Sequence, residues 1–152
     1  MVLFYGLTLT PFFDRLLYAY LVANAWLANA VLHLFGEATQ ISNITIRSSR
    51  FAITVRRGCD AIEPAWFFCA AVLAFPASWK ARILGALAGS LLLQGLNVIR
   101  IVSLYYLGFL FPRLFSIAHL EIWPAVFIVT AMLLWIGWIR WSGRTADSHA
   151  AA

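Results

Sequence analysis

The sequence predicts an all-α polytopic membrane bundle of about four helices, with a short β-hairpin between the first and second. Three observations carry that expectation. Hydrophobic residues make up 63% of the chain and charged residues only 11%, with a mean hydropathy of +0.86, a balance unlike that of a soluble domain. Several apolar stretches approach or exceed the ~20 residues that cross a bilayer. Between two of them, Ala38 to Arg57 switches to alternation with a period of two, which is the signature of strands.

The first helix is expected over residues 11–35, opening with Asp14 and Arg15 and closing at Gly36. Ala28-Asn29-Ala30 has the look of a signal-peptidase site. The segment lacks a basic leader and is long, so it reads as a membrane helix rather than a cleaved signal. The hairpin is expected over 38–57: Ile41, Asn43 and Thr45 alternate in one run, Phe51, Ile53 and Val55 in the next, with Ser48-Ser49 between.

The second helix is expected over 60–77, with Asp60 as N-cap and Glu63 at the spacing of its capping partner. Ser78-Trp79-Lys80-Ala81-Arg82 reads as a basic turn. The third helix follows over 83–110, and Gly85 and Gly89 in it form a GxxxG that predicts close helix packing. Pro112 to Ala118 reads as a loop, and the fourth helix as 119–141, its tryptophans 123, 135, 138 and 141 serving as interface anchors. Residues 1–141 thus make a single membrane domain, and 142–152 a polar disordered tail.

Such a bundle has both ends and the Lys80 turn on one side and the hairpin on the other. Basic residues do not orient it. Lys80, Arg82, Arg140 and Arg144 face Arg47, Arg50, Arg56, Arg57 and Arg113 across the bilayer. Taken literally, the positive-inside rule weakly favours a cytoplasmic hairpin, but arginines recruited to a site or a folded hairpin are not ordinary topogenic signals. An isoelectric point near 9.8 would point to nucleic acid in a soluble protein. Here the basic residues are scattered through loops and helix ends, which fits anchoring in a lipid bilayer.

Candidate chemistry begins at Arg56-Arg57-Gly58-Cys59-Asp60-Ala61-Ile62-Glu63. A thiol at the mouth of a helix beside arginines is placed as a nucleophile would be. Ten residues separate it from Cys69, ~15 Å along a helix, too far for a disulfide; Cys69 reads as packing.

Arg100 is a charge within an apolar span, a functional candidate by default. It lies on a stripe with Ser90, Gln94, Asn97 and Ser103 that faces the bundle interior. Counting rise from Ile83 puts Arg100 ~26 Å up, near the far boundary of a ~30 Å core. Cys59 and His119 lie at that same face. Cys59 is expected as nucleophile, Arg100 as its electrostatic partner and His119 as acid and base, with Asn97, Arg57, Asp60 and Glu63 supporting the site or contacting substrate. An isolated interfacial histidine is more commonly a headgroup contact; the company of Cys59 and Arg100 separates His119 from His33. Glu121 points away from His119, being two residues on in a helix. Neither metal nor cofactor is called for.

The order of a cysteine, then Asn-x-x-Arg in the next helix, then a histidine before the last helix resembles the exosortase/archaeosortase family. The matching text is Arg57-Gly58-Cys59-Asp60, Leu96-Asn97-Val98-Ile99-Arg100-Ile101 and Phe115-Ser116-Ile117-Ala118-His119-Leu120. The likeness covers about Thr39 to Trp141, and the short chain and Gly-Cys-Asp-Ala-x-Glu wording are most similar to exosortase H. It implies a membrane cysteine transpeptidase of a bacterial inner membrane, its active site and hairpin facing the periplasm or exterior. Its partners would be exported proteins with a C-terminal tripartite sorting signal, and a surface glycan or lipid acceptor. It implies the same roles for Cys59, Arg100 and His119. Many members read Cys-Ser-Gly where this chain has Cys59-Asp60-Ala61.

Two other classes compete. A thiol-disulfide membrane oxidoreductase needs a resolving cysteine, and the chain has no C-x-x-C. A non-enzymatic membrane interaction subunit leaves the three residues at one face without a reason.

Overall fold

The computed structural model describes residues 11–150, with side chains described from 14 to 143. The expected single domain and tail extend beyond this range at both ends, so residues 1–10 and 151–152 lie outside the described residues. The chain is mostly helical. In order it forms α1 (Pro11–Leu34), β1 (Gln40–Ser42), β2 (Thr45–Arg47), β3 (Ala52–Thr54), α2 (Ile62–Ala74), α3 (Trp79–Leu110), α4 (Pro112–Ile117), a π-helical turn (Ala118–Ile122) and α5 (Trp123–Ala150).

Three stretches are long and apolar enough to cross a membrane: Asp14–Leu34, Trp79–Leu110 and Pro112–Gly143. α2, expected as a fourth crossing over 60–77, has 13 residues. At 1.5 Å per residue it is ~20 Å long, short of a ~30 Å hydrocarbon core. Pro76, which cannot extend a helix past Phe75, and the left-handed Ala61 trim it at either end.

Much of the hydrophobic surplus faces outward. Phe67, Leu91 and Leu133 are 76%, 72% and 64% exposed, as lipid-facing side chains are.

The expected hairpin is a three-stranded antiparallel sheet in the order β1-β2-β3. Asn43 adopts φ 56 and folds the first alternating run back on itself, a left-handed position that asparagine tolerates. The alternation passes unbroken through that turn, which is why periodicity alone reads one strand there. Ile41 pairs with Ile46, and Ile46 with Ile53. β1 and β2 lie against α1.

α3 begins earlier than expected. Ser78 caps it, its hydroxyl accepting from the Ala81 N–H at 3.3 Å, so the basic turn is the first turn of a 32-residue helix. The expected loop after Pro112 is helical too. Proline suits the first position of a helix, where no N–H is needed, and only Phe111 interrupts the path. The final helix reaches Ala150, so the expected tail is helical that far.

Two apolar clusters hold the bundle. One joins α1, the sheet and the far half of α3 through Leu32, Ile46, Val55, Leu104 and Tyr105. The other joins α2, the near half of α3 and α5 through Phe68, Val72, Leu93, Phe127 and Trp138. The GxxxG serves the second. A Cβ on Gly85 would stand 2.1 Å from Trp138 Nε1, and one on Gly89 2.0 Å from Phe68 Cε1. Trp138, expected at the interface, is therefore a core residue, and its Nε1 donates to the Ala81 carbonyl at 2.9 Å. Gly85→Leu is expected to destabilise by about 2–3 kcal/mol through overpacking, read as a lower melting temperature in detergent. A Cβ on Gly95 would meet nothing within 4 Å, so Gly95→Ala is the control that leaves melting unchanged or raises it.

Candidate active site

Cys59 lies on the link from β3 to α2, where the two apolar clusters meet. The link is tightly bent. Gly58 has φ 85 and Ala61 φ 57, both left-handed, and the second is unusual for a residue with a Cβ. The Cys59 N–H donates to the Arg56 carbonyl at 2.9 Å. Asp60 is buried, and its Oδ1 accepts from the Ile62 N–H at 3.2 Å. The expected cap thus takes another form: Ala61 is the N-cap residue and makes no side-chain bond, because its left-handed turn carries Asp60 one position out. Glu63 is exposed and is no capping partner.

α1 reaches this link as well. The Tyr20 hydroxyl donates to the Asp60 carbonyl at 2.6 Å and also contacts the Gln94 amide.

Arg100 enters from α3 and is 5% exposed. Its Nη1 donates to the Gly58 carbonyl at 3.2 Å. Its Nη2 donates to the His119 carbonyl at 3.5 Å and lies 3.7 Å from Cys59 Sγ. Its Cζ stands 5.7 Å from the centre of the Phe127 ring, within cation–π range. The Nε is buried with no partner among the described residues. The one ion pair among them is Arg57 with Asp14. Arg100 is therefore a buried cation met by carbonyl dipoles and an aromatic face, without a carboxylate counterion among those residues. Such a charge is costly in low dielectric, and it favours any anion forming beside it.

His119 arrives on the π-helical turn, and the sequence explains why its carbonyl is open to Arg100. In the π register the Trp123 N–H bonds to the Ala118 carbonyl, one residue earlier than in an α-helix. The next donor in that register would come from residue 124, which is proline and has no N–H. The His119 carbonyl is left for the guanidinium. Phe115, one turn earlier, stacks on the imidazole at 5.8 Å and 10° between planes. Cys59 Sγ lies 3.7 Å from both Nδ1 and Nε2. The sulfur is thus equidistant from the two ring nitrogens, and a turn of the imidazole brings either into line.

Beside the thiol runs a cleft of about 460 Å³, lined by Phe51 to Arg56 and by Ile101, Leu104 and Phe115. A groove of about 510 Å³ between α3 and α5 is lined by Gly85, Gly89 and Trp138, but it holds no nucleophile. Among the described residues no three His, Cys, Asp or Glu side chains gather as metal ligands do.

Burial pushes the Cys59 thiol above its ordinary pKa, the nearby Arg100 guanidinium opposes this, and the Asp60 carboxylate adds to the rise. The direction of this shift favours the protonated thiol near neutral pH. Alkylation of Cys59 by iodoacetamide is expected to climb about tenfold per pH unit through neutrality, because only the thiolate reacts. Asp60→Asn removes an upward influence, so its profile moves to lower pH. A rate already at its plateau at neutral pH would contradict this assignment.

The structure brings Cys59, Arg100 and His119 together and leaves other candidates outside the contact. Asn97 is fully buried, and its Nδ2 donates to Asn24 Oδ1 at 2.9 Å; with Gln94 it ties α3 to α1. Arg57 borders the cleft but is paired with Asp14 on the surface. Cys69 Sγ sits 3.2 Å from Ser90 Oγ, and His33 is exposed. Sequence reasoning misses Tyr20, Phe115 and Pro124. Pro124 is readable only in part, since a proline in a helical run frees the carbonyl four residues earlier, that of Leu120, and only the π register moves the gap to His119.

No family model, curated protein or solved structure matches the chain.

Proposed function

We propose that this protein is a membrane-embedded cysteine transpeptidase of the exosortase/archaeosortase kind. It cleaves the C-terminal sorting signal of exported proteins at the extracytoplasmic face and passes the new carboxyl end to a surface glycan or lipid acceptor. The observation that carries the reading is one contact set: thiol, imidazole and an uncountered buried guanidinium, drawn from three separate segments. Ala61 supports it independently. Its left-handed φ of 57 is a backbone state that glycine favours, and many members of that family carry glycine two residues after the cysteine.

The chemistry follows from the distances. His119 takes the thiol proton as the sulfur attacks the carbonyl carbon of the sorting signal. The oxygen becomes an oxyanion, and Arg100 stabilises it. Collapse breaks the C–N bond, and the imidazolium returns the proton to the departing amine. The thioester is then attacked by an acceptor hydroxyl or amine, whose proton goes to His119. That proton restores the Cys59 thiol as the sulfur leaves.

In this reading α2 and its apolar flanks complete a fourth crossing, with the sheet on the periplasmic side of a bacterial inner membrane. Lys80 and both ends then face the cytoplasm. A thiol-disulfide oxidoreductase fits less well, because Cys69 sits beside Ser90 among the helices and the sequence has no C-x-x-C.

The test is co-expression in a bacterial host with exported proteins carrying a short motif, an apolar helix and a basic cluster at the C-terminus. Loss of the C-terminal helix from such a protein is the expected result, together with labelling of Cys59 by an impermeant maleimide from outside. Intact substrates in every pairing, or a Cys59 reached only from inside, would overturn the proposal.

A further inference from the structure

We infer that the outer edge of β3 is the substrate-docking strand: an extended polypeptide adds to the sheet there and lays a backbone carbonyl against Cys59. The inference rests on the reading of Cys59 as the nucleophile, and it specifies how substrate is held.

The hydrogen-bond pattern says which groups are free. Ile53 pairs with Ile46, the Val55 N–H donates to Ile44 O at 2.9 Å, and the Ser48 N–H donates to Phe51 O at 2.9 Å. Partners in an antiparallel ladder alternate between bonded and non-bonded pairs. Phe51, Ile53 and Val55 therefore spend their backbone groups on β2. Ala52 and Thr54 turn theirs outward, and β3 is last in the strand order, so no further strand among the described residues meets them.

Unpaired edges in folded proteins are commonly blunted by charge, proline or a covering element. Ala52-Ile53-Thr54 has neither charge nor proline, and the sheet leans on α1 through β1 and β2. The edge instead runs along the cleft that also contains Cys59 and His119. The occupant is a peptide because only a polypeptide backbone offers donors and acceptors at the two-residue repeat of Ala52 and Thr54. Phe115, which also lines the cleft, offers the peptide's side chains apolar contact. Strand and thiol are continuous: five residues after Thr54 the same chain delivers Cys59.

The experiment compares alkylation rates of Cys59 in the full-length protein in detergent. The probes are an acetyl-tripeptide chloromethyl ketone, the same peptide N-methylated on its backbone, and iodoacetamide. The unmethylated peptide is expected to label Cys59 at least about tenfold faster than its N-methyl form, the worth of one or two hydrogen bonds. Ala52→Pro and Thr54→Pro are expected to erase that difference and leave the iodoacetamide rate unchanged. Proline at an outward N–H is tolerated on an edge strand, and the iodoacetamide rate reports that the site is intact. Equal rates for the two peptides with wild-type protein, or a difference that survives both proline variants, would overturn edge docking. The readout needs no turnover. Processing of a sorting-signal protein without amide dependence would leave the transpeptidase reading standing and remove this one. Amide-dependent labelling without processing would do the reverse.

Discussion

Under the proposed reading, Cys59→Ala is expected to lower processing of a co-expressed sorting-signal protein by at least about a thousandfold, to the level seen without this chain. Removal of a nucleophile from a catalytic constellation leaves only residual acceleration from binding and electrostatics. Cys59→Ser is expected to fall nearly as far, because a hydroxyl is much harder to deprotonate than a thiol. Cys69→Ala is the matched control. Its contact is with Ser90, among the helices, so processing should persist. The readout is the ratio of cleaved to full-length substrate in membranes at equal enzyme abundance. Cleavage by Cys59→Ala at the wild-type rate would remove the nucleophile assignment outright.

Arg100→Gln is expected to cost about 10²–10³ in kcat, the usual loss when an oxyanion donor is removed, with a smaller change in KM. Arg100→Lys should recover only part of it. The guanidinium fork spans the Gly58 carbonyl, the His119 carbonyl and the sulfur at once, and a single ammonium cannot bridge three points in different directions. Two further readouts separate this role from a merely structural one. Arg100 holds the Cys59 pKa down, so Arg100→Gln moves the alkylation profile to higher pH while Lys largely preserves it. The buried charge has no counterion among the described residues, so its removal is expected to leave melting unchanged or raise it. A variant that melts lower and keeps the wild-type pH profile would make Arg100 a packing residue.

The sequence shows this site better than it shows the elements around it. Arg100 is legible because rise along a helix is a fixed length, and a charge in an apolar run has few reasons to be there. The partial failures have physical causes. Asn43 turns the chain without breaking the alternation, so one strand reads where two exist. Pro112 marks the end of one helix and equally suits the start of another, so α4 reads as a loop. Tyr20 is a tyrosine on an apolar helix until α1 packs against α3, and nothing local singles it out. The roles of Asn97 and Glu63 depend on what faces them: Asn24 in one case, open surface in the other.

The wide separation of the three groups along the chain has a consequence in time. Cys59 leaves the ribosome 41 residues before Arg100 and 60 before His119, which at ~5–20 residues per second are intervals of ~2–8 s and ~3–12 s. Throughout the longer one the thiol has Arg56 and Arg57 beside it but not His119, and Arg100 arrives 19 residues ahead of that histidine. In the proposed reading, the set of thiol, guanidinium and imidazole is therefore complete only once the segment carrying His119 has been made and docked.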